Sequence, residues 1–208
     1  MADRASRKKR ITAQRRAQIM KAGTEVFIRK GFTAATVPEI ARAAGIAAGT
    51  IYLYFPSKRA LFIAAIKDLI ITAPFLDLIY RIPKENIAVV FGQIIQNRFD
   101  LIQSEEMSRI PALMGEVLRD PELKALWIRE FFKPLMTQME GIYRAMQPPD
   151  KPFRVEPAVA VRAVAGLIIG FLMLRLMESG SGPLDDLPRE KVAADTVDFI
   201  LHGLLGAG

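Results

Sequence analysis

Apolar residues recur at three- and four-residue spacing in segment after segment of this 208-residue chain. No sustained alternation of apolar and polar positions appears, and no Asn-Gly or Asp-Gly hairpin turn. Such a pattern can bury its apolar side chains as helices but not as strands, so the expected fold class is all-α, with about nine helices. A first helix runs from about Thr12 to Lys30 and stops at Gly31, where a left-handed residue ends a helix at little cost. Thr36 and Glu39 have capping-box spacing and open a short second helix that ends at Gly45. A third covers about Ala48 to Phe55. Pro56-Ser57 stops it, and Ser57 caps a fourth that runs from Lys58 to about Tyr80 with a kink at Pro74.

Further helices are expected over about 85–104, 106–119, 156–178 and 188–205. Asp120-Pro121 opens a long helix before the 148–152 loop. On it, Leu123, Leu126, Trp127, Phe131, Leu135, Met139, Ile142 and Met146 form a core-facing stripe.

Charge divides the chain. Residues 1–60 hold 13 basic and three acidic side chains, a net +10, whereas the other 148 residues carry 16 basic and 19 acidic, a net −3. One end is suited to a polyanion and the other is not. Cysteine is absent and His202 is the single histidine, which removes thiolate chemistry and the commonest base and metal ligand. No paired acid–base or metal-ligand spacing stands out, so no catalytic residue, metal site or cofactor is expected. His202 itself reads as a packed or interface histidine. The longest apolar run, Ala163 to Leu174, spans about 18 Å as a helix against a hydrocarbon layer of about 30 Å. It reads as a buried helix rather than a membrane span. The basic N-terminus lacks the apolar stretch of a secretory signal, and the expected location is the cytoplasm.

Within the basic end, residues 36–55 place two short helices either side of Gly45, with Ala41, Ala44, Ala48 and Gly49 where the helices would cross. Small residues permit close crossing, and Ile40, Ile46 and Ile51 supply a core against the first helix. This is a helix-turn-helix arrangement, whose second helix enters the DNA major groove. A plain helical hairpin would account for the small residues and isoleucines but not for the concentration of cations.

The run Thr36 to Leu61, with its Gly49-Thr50-Ile51-Tyr52-Leu53-Tyr54-Phe55-Pro56-Ser57-Lys58 string, resembles the N-terminal domain of the TetR family of transcriptional repressors. The detailed match covers roughly residues 11–65. Around Leu118 to Leu123 and Val161 to Leu174 the chain is similar to an AcrR-like subgroup. The resemblance implies that Ala48, Gly49, Thr50, Tyr52 and Leu53 ride on the recognition helix, with Tyr52 and Tyr54 reaching phosphates or base edges. Val37 and Ala47, at the starts of the two helices, complete that surface. Lys58 matches the family's phosphate-binding lysine, and Thr36 would bond phosphate, cap its helix, or both. The arm cations Arg7, Lys8, Lys9 and Arg10 adjoin the DNA-binding helices and are expected to add phosphate or minor-groove contacts, the alternative being a solvated terminus.

Two positions depart from the family pattern. Pro38 stands where many relatives carry a base-reading cation, and Ala47 stands where many have a capping Ser. Direct base reading is therefore expected to be sparse, with van der Waals contacts, DNA shape and the arm carrying more of the recognition.

The resemblance also implies a domain plan: a basic flexible arm at 1–10, the helix-turn-helix domain at 11–57, connecting helix 4 at 58–80, and a ligand-binding and dimerisation domain at 81–208. A single three-helix unit has a small footprint, so a homodimer on a palindromic double-stranded operator is expected. Its interface is expected on the last two helices, from Gly166, Gly170, Phe171 and Leu174 with Val197, Ile200, Leu201 and Leu204. The alternative is that these side chains form only an intramolecular core. A small hydrophobic inducer is expected among Phe75, Phe91, Phe99 and Met107 together with Met114, Trp127, Phe131 and Phe171. Glu105, Glu106 and Glu116 suit a lipophilic cation, Arg98 and Arg109 an acyl thioester or carboxylate, and surface salt bridges explain all five equally well. The function this implies is a ligand-responsive regulator, most simply a repressor. A DNA-binding protein without an inducer and a helical lipid- or drug-binding protein are the alternatives.

Overall fold

The computed structural model describes residues 2–70, 89, 92–97, 110–147, 154–178, 182–183 and 186–205. Among them there is no strand. The helices are α1 (Ala2–Ala34), α2 (Val37–Ala43), α3 (Ala48–Ile51), α4 (Lys58–Ile70), α5 (Ile110–Arg119), α6 (Pro121–Trp127), α7 (Lys133–Ala145), α8 (Pro157–Glu178) and α9 (Arg189–Leu205). A π-helical turn, Ile128–Phe132, joins α6 to α7. Residues 92–97 are also helical. The expected continuation of α4 to Tyr80, its kink at Pro74 and most of the 85–104 helix lie outside the described residues.

Two compact units result, one of residues 1–70 with 109–131 and one of 71–108 with 132–208. In the first, α1 packs on α2, α4 and α5, and α4 also packs on α6. Ile19, Val26, Phe27, Ile40, Ile51, Phe55, Leu61, Phe62 and Ile66 are wholly buried there. Phe62 meets Phe27 edge-on and Phe32 at a tilt, both with ring centroids 4.9 Å apart. This packing groups the chain differently from a linear division at 57 and 80. The segment 109–131 returns to α1 and α4, and a composition profile carries no trace of that return.

The first ten residues also differ from expectation. Their lack of periodicity predicts an irregular arm, yet α1 is helical from Ala2. No Gly or Pro interrupts Ala2 to Ala22, and Arg, Lys, Ala and Gln all favour helix. A helix start that is polar all round has no apolar stripe by which to be recognised. Gly31 breaks α1 as expected, with φ 75° and ψ 173°.

In the second unit, Ile95, Tyr143, Met146, Ala160, Ala193, Val197 and Ile200 form a core, and the Tyr143 hydroxyl donates to the Val155 carbonyl at 2.8 Å. The expected stripe slips by one residue at Met136 and Tyr143 in α7 and is met again at Met146. Leu123, Trp127 and Phe131 are buried, but the next buried residues are Met136, Tyr143 and Met146, while Leu135, Met139 and Ile142 are half-buried. The step from Phe131 to Met136 is five residues, the repeat of a π turn. Pro134, which has no N–H for the Glu130 carbonyl, sits just after it.

Candidate nucleic-acid interface

The helix-turn-helix is built from local hydrogen bonds that the sequence signals. At the start of α2, Thr36 Oγ1 accepts the Glu39 N–H while Glu39 Oε2 accepts the Thr36 N–H at 3.1 Å, a complete capping box. The Thr36 hydroxyl also donates to Glu39 Oε2 at 3.0 Å, so capping engages it from both sides. Lys30 forms an ion pair with the same carboxylate. The Lys30 hydrogen bond, followed by those from Thr36, lowers the Glu39 pKa from 4.5 to about 2.

At the other end of α2, Ile46 N–H donates to Ala41 O at 3.0 Å and Gly45 N–H to Arg42 O at 3.1 Å. These are the paired bonds of a Schellman turn, which requires the positive φ of 62° that Gly45 adopts. Ala47 then opens α3 with no side-chain cap, as its methyl dictates. Four residues of α3 are followed by tight turns: Leu53 N–H donates to Thr50 O and Tyr54 N–H to Ile51 O.

Two polar side chains of α1 hold this unit from behind, and nothing in the sequence beyond the count of cations points to them. Gln18 Nε2 donates to the Ala44 carbonyl at 2.7 Å, just before α3. Arg16 Nη1 donates to the Tyr54 carbonyl at 3.2 Å, just after it, and its guanidinium lies 4.3 Å from the centre of the Phe55 ring. The C-cap of α2 and the turn that follows α3 are thus pinned to one helix, while Ile51 and Phe55 are buried.

The outward face is unlike the rest of the unit. Tyr52 is 55% and Leu53 81% exposed; between Thr12 and Ile70 they are the large apolar side chains left in solvent. Ala47 and Gly49 are exposed, and Ala48, Thr50 and Tyr54 half-buried. On α2, Arg42 and Pro38 are exposed and Val37 half-buried. Arg10 is exposed on α1; the side chains of Arg7, Lys8 and Lys9 lie outside the described set, although their backbone is part of α1.

Lys58 is held differently from the expected free phosphate ligand. Its Nζ donates to the carbonyls of Phe32 and Ala35 at 2.8 and 2.9 Å and lies 4.3 Å from the centre of the Phe32 ring. Burial lowers its pKa. The lysine fastens the connection between α1 and α2, with Ser57 Oγ capping α4 beside it by accepting the Ala60 N–H at 3.1 Å. Glu116, a candidate for meeting a cationic ligand, is instead engaged by the Phe32 N–H and the Thr33 hydroxyl.

Of the expected inducer contacts, Phe75, Phe91, Phe99 and Met107 lie outside the described residues, as do Arg98, Glu105, Glu106 and the side chains around them. Met114 is half-buried on α5. Trp127 and Phe131 are buried with ring centroids 4.2 Å apart, both in the first unit, whereas Phe171 is half-buried in the second. Of the expected interface residues, Gly166 and Leu174 are exposed and Gly170 and Phe171 half-buried. Val197 and Ile200 instead belong to the protomer's own core and Leu201 packs against it. The side chain of Leu204 is outside the described set. His202, expected to be packed, is exposed, with Nδ1 2.9 Å from the Asp198 carbonyl one turn back. Among the described residues no three His, Cys, Asp or Glu side chains are grouped to hold a metal ion, and no helix is long and apolar enough to cross a membrane.

Residues 19–65 match the family model described as bacterial regulatory proteins, tetR family. A 51-residue stretch is 43% identical to the fatty acid metabolism regulator protein of Bacillus subtilis, covering 24% of this chain and 26% of that one. The chain spans between 18% and 27% of the length of the curated relatives it matches. Among solved structures, FadR from Bacillus subtilis in complex with stearoyl-CoA superposes with a TM-score of 0.66 at 22% identity, covering 90% of this chain and 98% of that one. NalD of Pseudomonas aeruginosa, the secondary repressor of the MexAB-OprM multidrug efflux pump, superposes at 0.65 with 20% identity, over 96% and 100%. These likenesses establish the fold over nearly the whole chain, and the family model spans α2 and α3 together with the second half of α1 and the first part of α4. Residues 19–65 are thus similar to the tetR family of bacterial regulatory proteins, and the solved structures share the all-helical fold of the chain.

Proposed function

We propose that this protein is a ligand-responsive transcriptional repressor that binds a palindromic operator as a homodimer and is released by a small, largely hydrophobic inducer. The observation that carries the reading is the exposure of Tyr52 and Leu53 at the end of α3, in a helix-turn-helix held by Gln18 at the C-cap of α2 and by Arg16 at Tyr54. A protein that used this face only for its own stability would have buried them. The net +10 of the first 60 residues supplies the electrostatic attraction to phosphate, and an operator as partner fits a cytoplasmic location.

Homodimerisation is supported by the second unit. Ile169, Leu174, Met177 and Phe199 are exposed on α8 and α9. A Cβ at Gly166 or Gly170 would meet nothing within 4 Å, so the protomer gives no packing reason for glycine there. A second copy would cover this apolar area and bring the two recognition helices onto one duplex. A hydrophobic inducer is supported by the stearoyl-CoA bound to the FadR structure and by the efflux-pump context of NalD. Release is then a shift of population towards a dimer whose helix spacing no longer fits the groove.

Footprinting on DNA upstream of the protein's own gene tests the reading, repeated with long-chain acyl-CoA and with lipophilic cationic drugs. A symmetric protected site that one ligand class abolishes is the expected result. Protection that no ligand releases favours a DNA-binding protein without an inducer. Binding to anionic vesicles with no protected site favours a helical lipid-binding protein.

A further inference from the structure

We infer that Leu53 reads thymine in the operator through the C5-methyl group, and that base discrimination by α3 is dominated by such apolar contacts. The inference rests on the proposed helix-turn-helix function but goes beyond it by naming the base and the group recognised. From Ala47 to Tyr54 the chain reads Ala, Ala, Gly, Thr, Ile, Tyr, Leu, Tyr, without Arg, Lys, Asn, Gln, Asp or Glu. Bidentate recognition of guanine needs Arg or Lys, that of adenine needs Asn or Gln, and cytosine is read by an acidic acceptor. None of these is available on this element. The major-groove feature that a bare hydrocarbon side chain matches is the thymine methyl.

Leu53 is the side chain placed to make that match. It is 81% exposed in the turn just past the Tyr52 C-cap of α3, so its side chain is not packed within the unit. Arg16 holds the Tyr54 carbonyl one residue on, and the first 60 residues carry a net +10. An apolar tip on so cationic a domain is complementary to a groove floor edged by phosphates, and it is ill-suited to an apolar protein surface. Pro38 on α2 adds no hydrogen-bonding side chain that would compete for the reading.

The test uses the full-length protein and duplexes selected by it from a randomised 30-base-pair library. Each thymine of a selected duplex is then replaced by deoxyuridine, which removes the methyl and keeps every Watson–Crick group. At the thymines facing α3, loss of one methyl should weaken binding about fourfold, and the symmetric pair about fifteenfold. The Leu53→Ala variant should bind the thymine duplex more weakly and show no further loss on the deoxyuridine duplex. Because Leu53 is exposed, the variant should retain the wild-type melting temperature. Selected duplexes that bind equally well with thymine or deoxyuridine overturn the inference and leave the DNA-binding function standing. An unchanged deoxyuridine penalty in Leu53→Ala overturns Leu53 as the reader. Failure to select any duplex overturns both this inference and the function beneath it.

Discussion

Glu116 accepts the backbone N–H of Phe32 at 3.0 Å, joining α5 to the break in α1 across 84 residues of sequence. Its other oxygen takes the Thr33 hydroxyl at 3.3 Å. Lys58 holds the Phe32 and Ala35 carbonyls of the same segment. The segment between the first two helices is therefore fixed by an acid and a base from distant elements, and the helix-turn-helix inherits its orientation from that clasp.

Replacing Glu116 with Ala leaves the half-buried Phe32 N–H region without its charged acceptor. Destabilisation of about 1–3 kcal/mol is expected, read as a lowered urea midpoint with an unchanged slope. Glu116→Gln keeps an acceptor oxygen and should lose about half as much. Equal losses for the two variants would mean that charge, not acceptance, makes the contact.

Gly31 and Gly45 both adopt positive φ, but their substitutions should differ. A Cβ on Gly45 meets nothing within 4 Å, so Gly45→Ala carries backbone strain alone, about 1–2 kcal/mol. A Cβ on Gly31 would also collide with Glu116 Oε1. Gly31→Ala should therefore cost more than Gly45→Ala, and in combination with Glu116→Ala the two losses should be less than additive. Chemical denaturation of the wild type and the four variants checks both statements.

The Glu39 pKa, held at about 2 by Lys30 and then Thr36, predicts how α2 responds to acid. A carboxylate whose folded pKa lies below its unfolded value stabilises the fold above about pH 4.5, and that contribution is lost as the pH falls through about 2. Urea midpoints measured from pH 6 to pH 2 should fall in the wild type. The Glu39→Gln variant should be less stable at pH 6 and should fall less over that range. Parallel curves would remove Glu39 as a source of the pH dependence.

The start of α1 carries Arg4, Arg7, Lys8, Lys9 and Arg10. If these meet phosphate, deleting residues 1–10 should flatten the log–log dependence of DNA affinity on salt by about 0.9 for each phosphate that is no longer neutralised. An unchanged slope would make the segment a solvated helix end.

With no cation at position 38, single base-pair changes through a selected half-site should cost less than about 2 kcal/mol at most positions. A larger loss at most positions would show that direct hydrogen-bonded readout dominates. Anisotropy titration of a panel of single-change duplexes distinguishes the two.

What can be read from the sequence is local. The Thr36–Glu39 box, the Gly45 turn, the Ser57 and Asp120 caps and the break at Gly31 each depend on residues within a few positions of one another. Such patterns leave a signature in the order of residues. Contacts between distant residues do not. Lys58 and Arg16 are cations on a basic domain in any linear reading, and only folding turns one towards carbonyls and the other onto Phe55. The π turn at Ile128–Phe132 shows the same limit from another direction: one wider turn moves burial from Leu135 and Ile142 to Met136 and Tyr143, and periodicity assumes it away. On the candidate interface, the order of residues singles out Tyr52 and Leu53, but only the packing separates them, as exposed side chains, from the buried Ile51 and Phe55.

The central claim is that α3 and the residues following it enter the major groove. Photo-crosslinking reads this directly, with 5-iododeoxyuridine in place of single thymines of a selected duplex, because iodine occupies the methyl position on the groove floor. Tryptic mapping of the crosslinked full-length protein should place the adduct in the peptide from Ala43 to Lys58, at Tyr52 or Leu53. Crosslinks confined to other peptides would contradict the claim.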